Sequence, residues 1–231
     1  MQWVLSLELA RAGADIAVHY SRSADEAQAT AREIEALGRR AFLCQADLGN
    51  WQSAEALGAS ALSHFGAIDV LVNSASSYAT SGYFETTEAD FDSAFDINVK
   101  GPYVLSQVIG RAMQGYDHVS SIVNIVDEGS LYPWRGYVAH GVSKAALLAL
   151  TRAQALNLGP NVRVNAVCPG PVLKPADFSD MRWDALRKHN PLHALGTAGQ
   201  VAETVLFLVA GPQFINGECI VLDGGRLWQH Q

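Results

Sequence analysis

What most constrains this chain is the order of its apolar runs: short strand-like segments alternate with longer helical ones from one end to the other. ADIAVHY (14–20) is a short β-branched run, after which Ala24, Ala27, Ile34 and Leu37 recur at helical spacing over 24–37. RAFLCQA (40–46) precedes a predicted helix over 51–65, AIDVLVN (67–73) a loop and a helix over 89–113, and HVSSIVNIV (118–126) a helix over 136–157. VRVNAV (162–167) leads to a long loop and two more helices, and GECIVLDGG (217–225) supplies a last strand. Strand and helix in alternation, with no polar linker between units, predict a doubly wound α/β fold: one parallel sheet, helices on both faces and right-handed crossovers. With no repeat, low-complexity tract or composition break, residues 1–231 read as a single domain.

The chain has the bulk for a large core, since 49% of its residues are hydrophobic and 17% charged. A formal charge of −7 excludes a nucleic-acid surface, which needs clustered Lys and Arg. Partners are therefore expected to be small molecules and further subunits. Cys44, Cys168 and Cys219 lie far apart without CxxC spacing, so neither a disulfide framework nor a zinc knuckle is indicated. The opening MQWVLSLELARAG has no basic leader, and Glu8 interrupts its apolar run. No window approaches the ~18 consecutive apolar residues of a membrane span. A cytoplasmic protein is expected, with no metal site, because His189, His193 and His230 lack ligand spacing.

In an open parallel sheet ligands bind beyond the carboxyl ends of the strands. After the first visible strand come His19, Tyr20, Ser21, Arg22 and Ser23, where an NAD-selective protein usually places an acidic residue for the ribose 2′-hydroxyl. Arg22, a planar fork of donors, and Ser23, a hydroxyl, suit the 2′-phosphate of NADP, the plainer alternative for Arg22 being a solvated loop residue. After the next strand Asp47, followed by Leu48, is placed for the adenine, although a lone Asp before a helix commonly caps it.

Asn73-Ser74-Ala75-Ser76 resembles the NNAG segment of the short-chain dehydrogenase/reductase family. Asn98 in DINVKGPY resembles its helix asparagine, and CPGPV (168–172) its PG motif. With LDGG near the end, the ordering covers nearly the whole chain. The resemblance implies a Rossmann-like fold, an NADP(H) cofactor touched by Asn73, Ala75, Pro169, Gly170 and Val172, and a homo-oligomer, dimer or tetramer. Within the family, NSASSY (73–78) and IVNIVD (122–127) most resemble the pteridine reductase branch. There an aspartate, here Asp127, replaces the usual catalytic serine, and an aromatic at the position of Tyr78 stacks on the pterin beside Ser76.

The chemistry such a site needs is a hydride held near a C=O or C=N carbon and a proton donor on the heteroatom. Lys144 is placed to bind the nicotinamide ribose and bias the donor. Asn98 is expected to hold a water that extends the proton path, the alternative being a helix asparagine bonded to nearby backbone.

Two departures from the family pattern stand out. Its YxxxK pair reads His140 in HGVSK (140–144). Residues four apart share a helix face, so His140 still approaches Lys144. Imidazole titrates near about 6.5 and a neighbouring ammonium disfavours its charged form, so donation is expected to be weak unless Asp127 pairs with the ring. Tyr137, one turn earlier, is a substitute donor or ordinary packing.

The second departure is at the start. The family opens with a strand and a TGxxxGxG loop that cradles the pyrophosphate, whereas LELARAGADIAVHY (7–20) aligns with its first helix and second strand. Met1 and Gln2 then stand where the loop's last residues belong. The missing strand is central, between 14–20 and 67–73, so the sheet is expected to split there, leaving about 4.8 Å on each side and unpaired backbone groups. A start placed too late, a natural loss and a strand from another chain all remain open. For the chain as it stands, NADPH affinity is expected to be low.

Two functions compete at this point. One is an NADPH-dependent reductase of a pterin-like or carbonyl substrate using Lys144, Asn98, Asp127 and His140. The other is a non-catalytic relative that joins an active homologue through the helices bearing Asn98 and Lys144. The stretch 173–193, with Lys174, Asp177, Trp183 and His189, falls in the family's variable lid over the substrate.

Overall fold

The computed structural model describes residues 1–175 and 178–230. Asp177 lies outside them. The strands are β1 (Ile16–Tyr20), β2 (Ala41–Gln45), β3 (Val70–Asn73), β4 (Ser120–Ile125), β5 (Val162–Pro169) and β6 (Cys219–Leu222). Between them run helices α1 (Gln2–Arg11), α2 (Ala24–Ala36), α3 (Trp51–Phe65), α4 (Glu88–Phe95), α5 (Gly101–Met113), α6 (Val138–Leu158), α7 (Asp180–Lys188) and α8 (Ala198–Ala210).

Every pairing is parallel, and the strands fall into two sheets: β1 pairs with β2, while β3, β4, β5 and β6 follow one another. The split lies between β1 and β3, where the resemblance implies a missing central strand. Helices carry the fold across. Residues two apart on an α-helix point roughly 200° apart, and α1 uses this to face both sheets. Leu5 packs with Val123, Ile125 and Val167 of the larger sheet and with Val205 of α8. Leu7 and Ala10 pack with Val18 of β1 and with Ala27 and Ile34 of α2. On the opposite face Leu57, Val104 and Leu105 from α3 and α5 join Cys44, and Ala17 of β1 and Leu71 of β3 meet in the same cluster. Full burial of a leucine or valine is worth about 1.5–3 kcal/mol, so these two apolar layers offset the ladder that the split removes. The Gln2 side chain donates to the His19 carbonyl, which gives β1 one hydrogen bond from outside its own pair.

The single helix expected over 89–113 is broken in the middle. Between α4 and α5 the backbone widens into a π turn over Asp96–Lys100. Pro102 has no N–H to close on the Asn98 carbonyl four residues back, and a wider turn absorbs the mismatch. Asn98, inside that turn, is fully buried. No helix among the described residues is long and apolar enough to cross a membrane.

Candidate active site

The tips of β3, β4 and β5 open onto a cavity of about 700 Å³. The loop after β3 contributes Ser74, Ser76 and Tyr78, the loop after β4 Asp127, Glu128 and Trp134, and α6 His140 and Lys144. Pro169, Gly170 and Val172 follow β5, and α7 adds Arg182 and Trp183 as an outer wall. All four residues expected to carry the chemistry therefore sit at or directly behind one cavity.

His140 is 2% exposed. Its Nδ1 lies 2.9 Å from the Ser77 carbonyl, and its Nε2 meets Asp127 Oδ2. A carbonyl can only accept, so Nδ1 carries a hydrogen, and a further proton must lie between Nε2 and the carboxylate. Asn98 fixes the backbone on which this rests: its Oδ1 accepts from the Ser77 amide at 2.8 Å and its Nδ2 donates to the Ser77 carbonyl at 3.1 Å. The same Nδ2 donates to Ser143 Oγ at 2.9 Å, and that hydroxyl donates to the His140 carbonyl at 2.8 Å. Asn98 thus bonds to loop backbone and to α6 rather than facing the cavity. It holds the histidine's acceptor in place.

Both members of the pair line the cavity, and Asp127 is the more open of the two, its side chain being 18% exposed against 2% for His140. Oδ1 of Asp127 is buried without a hydrogen-bond partner. Lys144 is buried beneath, its Nζ donating to the Ile125 carbonyl at 2.8 Å. Burial lowers the Lys144 ammonium to about 8, against the opposing pull of Asp127. Tyr78 packs edge-on against His140, ring centres 4.8 Å apart, and against Tyr137 at 5.1 Å. Tyr137 is 9% exposed, packs further on Trp134 and also lines the cavity.

Sequence reading missed Glu128, which is 1% exposed beside the catalytic candidates. Arg226 Nη1 donates to its Oε2 at 2.7 Å, while Oε1 has no partner. Burial raises this carboxyl to about 7 despite the guanidinium. The fit is close: a Cβ at Gly170 would come within 2.4 Å of Glu128 Oε1 and 2.9 Å of the Asp223 backbone.

The residues expected at the adenosine end divide. Arg22 is exposed with no ion pair among the described residues, and Ser23 stands at the α2 N-cap with a hydroxyl that makes no capping bond. Ser23 and His19 line a smaller hollow of about 180 Å³, which adjoins the main cavity through Met1, a residue lining both. His19 Nε2 donates to the Ala46 carbonyl at 3.0 Å, tying together the tips of β1 and β2. Asp47 accepts from the Gly49 amide at 2.9 Å in its own turn, and the α3 cap is Asn50 instead. Leu48 is core, so only its backbone is presented. Asn73 turns inward, its Nδ2 donating to Asn124 Oδ1 at 2.8 Å, and Ala75 packs beside Leu71. Ser74 Oγ lines the cavity, buried and without a partner.

A family model described as enoyl-(acyl carrier protein) reductase matches residues 2–226. An oxidoreductase of Mycobacterium tuberculosis is 33% identical over 226 residues, covering 96% of this chain and 86% of that one. The 7alpha-hydroxysteroid dehydrogenase of Escherichia coli is 32% identical over 228 residues, covering 96% of this chain and 88% of its own. Among solved structures, a short chain dehydrogenase from Burkholderia cenocepacia in complex with NADP is 34% identical, with a TM-score of 0.89 over 96% of this chain and 91% of that one.

Proposed function

This chain belongs to the short-chain dehydrogenase/reductase family of oxidoreductases, and from that premise we propose that it uses NADPH to reduce a C=O or C=N bond of a planar substrate. The observation that carries the reading is the His140–Asp127 contact at a cavity that Lys144 also lines.

The side chains suit a nicotinamide dinucleotide at both ends. Toward the nicotinamide, Ser74 Oγ is a buried hydroxyl with no partner, and Lys144 has donors beyond the one given to Ile125. Toward the adenosine, Arg22 has no carboxylate partner among the described residues and Ser23 has an uncommitted hydroxyl, a pairing that favours a 2′-phosphate. Pro169, Gly170 and Val172 would pass along the carboxamide. The bound cofactor supplies a hydride.

The protein's own residues supply the proton. Both ring nitrogens of His140 are engaged, so the pair delivers through Asp127, its more exposed member, while His140 holds the proton beside it. Giving that proton to the substrate heteroatom leaves the pair one unit more negative. Lys144, still charged below about 8, lies close enough to offset this. Asp127 together with the half-exposed Tyr78 supports a pterin-like ring as one form of the substrate, and a dimer or tetramer of this chain as its assembly.

The test is reduced-nicotinamide fluorescence and absorbance for the purified chain, with NADPH or NADH, against ketones, quinones and dihydropterins. Preferential NADPH binding, with oxidation that Lys144→Ala abolishes, is the expected result. Absence of binding by either dinucleotide at millimolar concentration, or turnover equal in the variant, overturns it.

A further inference from the structure

The wall of the main cavity has a charge opposite to that of the protein. The whole chain holds 16 Lys and Arg against 23 Asp and Glu. Among the described residues lining the cavity, Arg135, Lys144, Lys174, Arg182 and Arg226 stand against Asp127 and Glu128. Three of these cations are committed: Lys144 to the Ile125 carbonyl, Arg226 to Glu128, and Lys174 to Asp180. Arg135 and Arg182 have no carboxylate partner among the described residues.

Arg182 is positioned by a ring, and Arg135 by its place on the cavity wall. Arg182, in the first turn of α7, lays its guanidinium over the Phe178 ring at 3.7 Å, and Phe178 in turn meets the edge of Trp183. A cation–π contact of this kind holds the guanidinium in place while leaving its N–H donors available to an acceptor. Arg135 follows Trp134, which also lines the cavity, and precedes Gly136 at φ +80°. Aromatic side chains on the same wall are Tyr78, Trp134 and Trp183, with the Arg226 guanidinium over the Trp134 ring at 5.9 Å. Flat apolar walls with two uncommitted forks match a flat molecule that carries an anion.

Building on the reductase reading, we infer that the substrate is a planar aromatic or heteroaromatic carboxylate, its ring held among Tyr78, Trp134 and Trp183 and its carboxylate met by Arg135 and Arg182. A bidentate fork pairs in plane with a carboxylate, and it is this end that sets which flat molecules are accepted.

The test is calorimetric titration, with quenching of tryptophan fluorescence as a second readout, using 2-naphthoate, its neutral isostere 2-naphthamide, and 2-naphthyl phosphate. The wild-type chain is expected to bind the carboxylate at least about tenfold more tightly than the amide. In Arg135→Gln/Arg182→Gln that preference is expected to fall to within about twofold, with amide affinity unchanged. Equal binding of acid and amide, or no binding of either, overturns the inference. So does a preference that persists in the double variant, which would assign it to Lys144, or a phosphate ester bound more tightly than the acid. None of these readouts involves NADPH oxidation. Carboxylate preference with no NADPH oxidation of any ketone, quinone or dihydropterin would therefore sink the reductase reading and leave this one standing, and turnover of neutral ketones with equal affinities for acid and amide would do the reverse.

Discussion

His140 and Asp127 share one proton at the cavity wall: Nε2 of the ring meets Oδ2 of the carboxylate, while Nδ1 is held 2.9 Å from the Ser77 carbonyl. The family pattern places a tyrosine at 140, whose hydroxyl would itself be the donor. Here the residue at 140 is turned into a support with both nitrogens engaged, and the more exposed member of the pair, Asp127, comes from the loop after β4.

Asp127→Asn is expected to lower kcat by about 10²- to 10⁴-fold, the usual range for loss of a positioned acid, with NADPH affinity within about threefold of wild type. With Nδ1–H held by the Ser77 carbonyl, the neutral ring presents Nε2 as an acceptor to which an asparagine Nδ2–H can donate, yet an amide N–H is too weak an acid to pass its proton on. Steady-state kinetics on the best ketone or dihydropterin, alongside dinucleotide titration, measures both quantities. An unchanged kcat would return the donor role to another group.

Lys144 gives the reaction a basic limb. Burial sets its ammonium at about 8, so the charge that offsets the spent His140–Asp127 pair disappears as pH rises through that value. Turnover is expected to fall on the alkaline side of about 8. In Lys144→Arg, whose guanidinium stays charged, the same limb should move above the accessible range even if overall turnover is lower. A pH profile of kcat for both proteins separates the cases.

Much of this was legible in the sequence, because the fold is written in period and punctuation. The helix predicted over 51–65 has those bounds in the structure, since Asn50 accepts from the Ser53 amide at 2.9 Å at one end and Gly66 at φ +79° stops the other. The split sheet follows from the resemblance, whose first, central strand has no counterpart here. The break at Asp96–Lys100 does not, because the 3.6-residue period runs through it and the Pro102 effect acts on one carbonyl. At the site, residue types were readable and side-chain directions were not. Asn73 and Asp47 are drawn off by Asn124 and Gly49, and Glu128 owes its burial to Arg226, 98 residues further on, with no local spacing to reveal it.

Glu128 should leave a mark on stability as a function of pH. Its carboxyl is raised from 4.5 to about 7, chiefly by burial, with Arg226 opposing and Asp223 and Asp127 adding to the rise. An acid raised in the folded state favours folding below its unfolded value and loses that contribution as pH climbs through the folded one. Wild-type stability minus that of Glu128→Gln should therefore fall between pH 4.5 and about 7, by on the order of 2 kcal/mol, and be flat on either side. Urea unfolding of the two proteins across that window measures it, and a difference that rises with pH would contradict the buried, raised carboxyl.

Arg22 tests which dinucleotide the strand tips select. Its guanidinium is exposed without an ion pair among the described residues, beside a Ser23 hydroxyl that caps nothing. A charge-assisted hydrogen bond to a ligand is worth about 1.5–3 kcal/mol when shielded and less in water, so the exposed setting argues for the low end. Arg22→Ala is expected to weaken NADPH about tenfold and leave NADH within about twofold, because NADH has no 2′-phosphate to lose a partner. Raising the salt concentration should narrow the NADPH difference, since an exposed contact is screened. If both dinucleotides weaken together, the residue shapes the loop after β1 instead, and selectivity must come from Ser23 or from the backbone around His19.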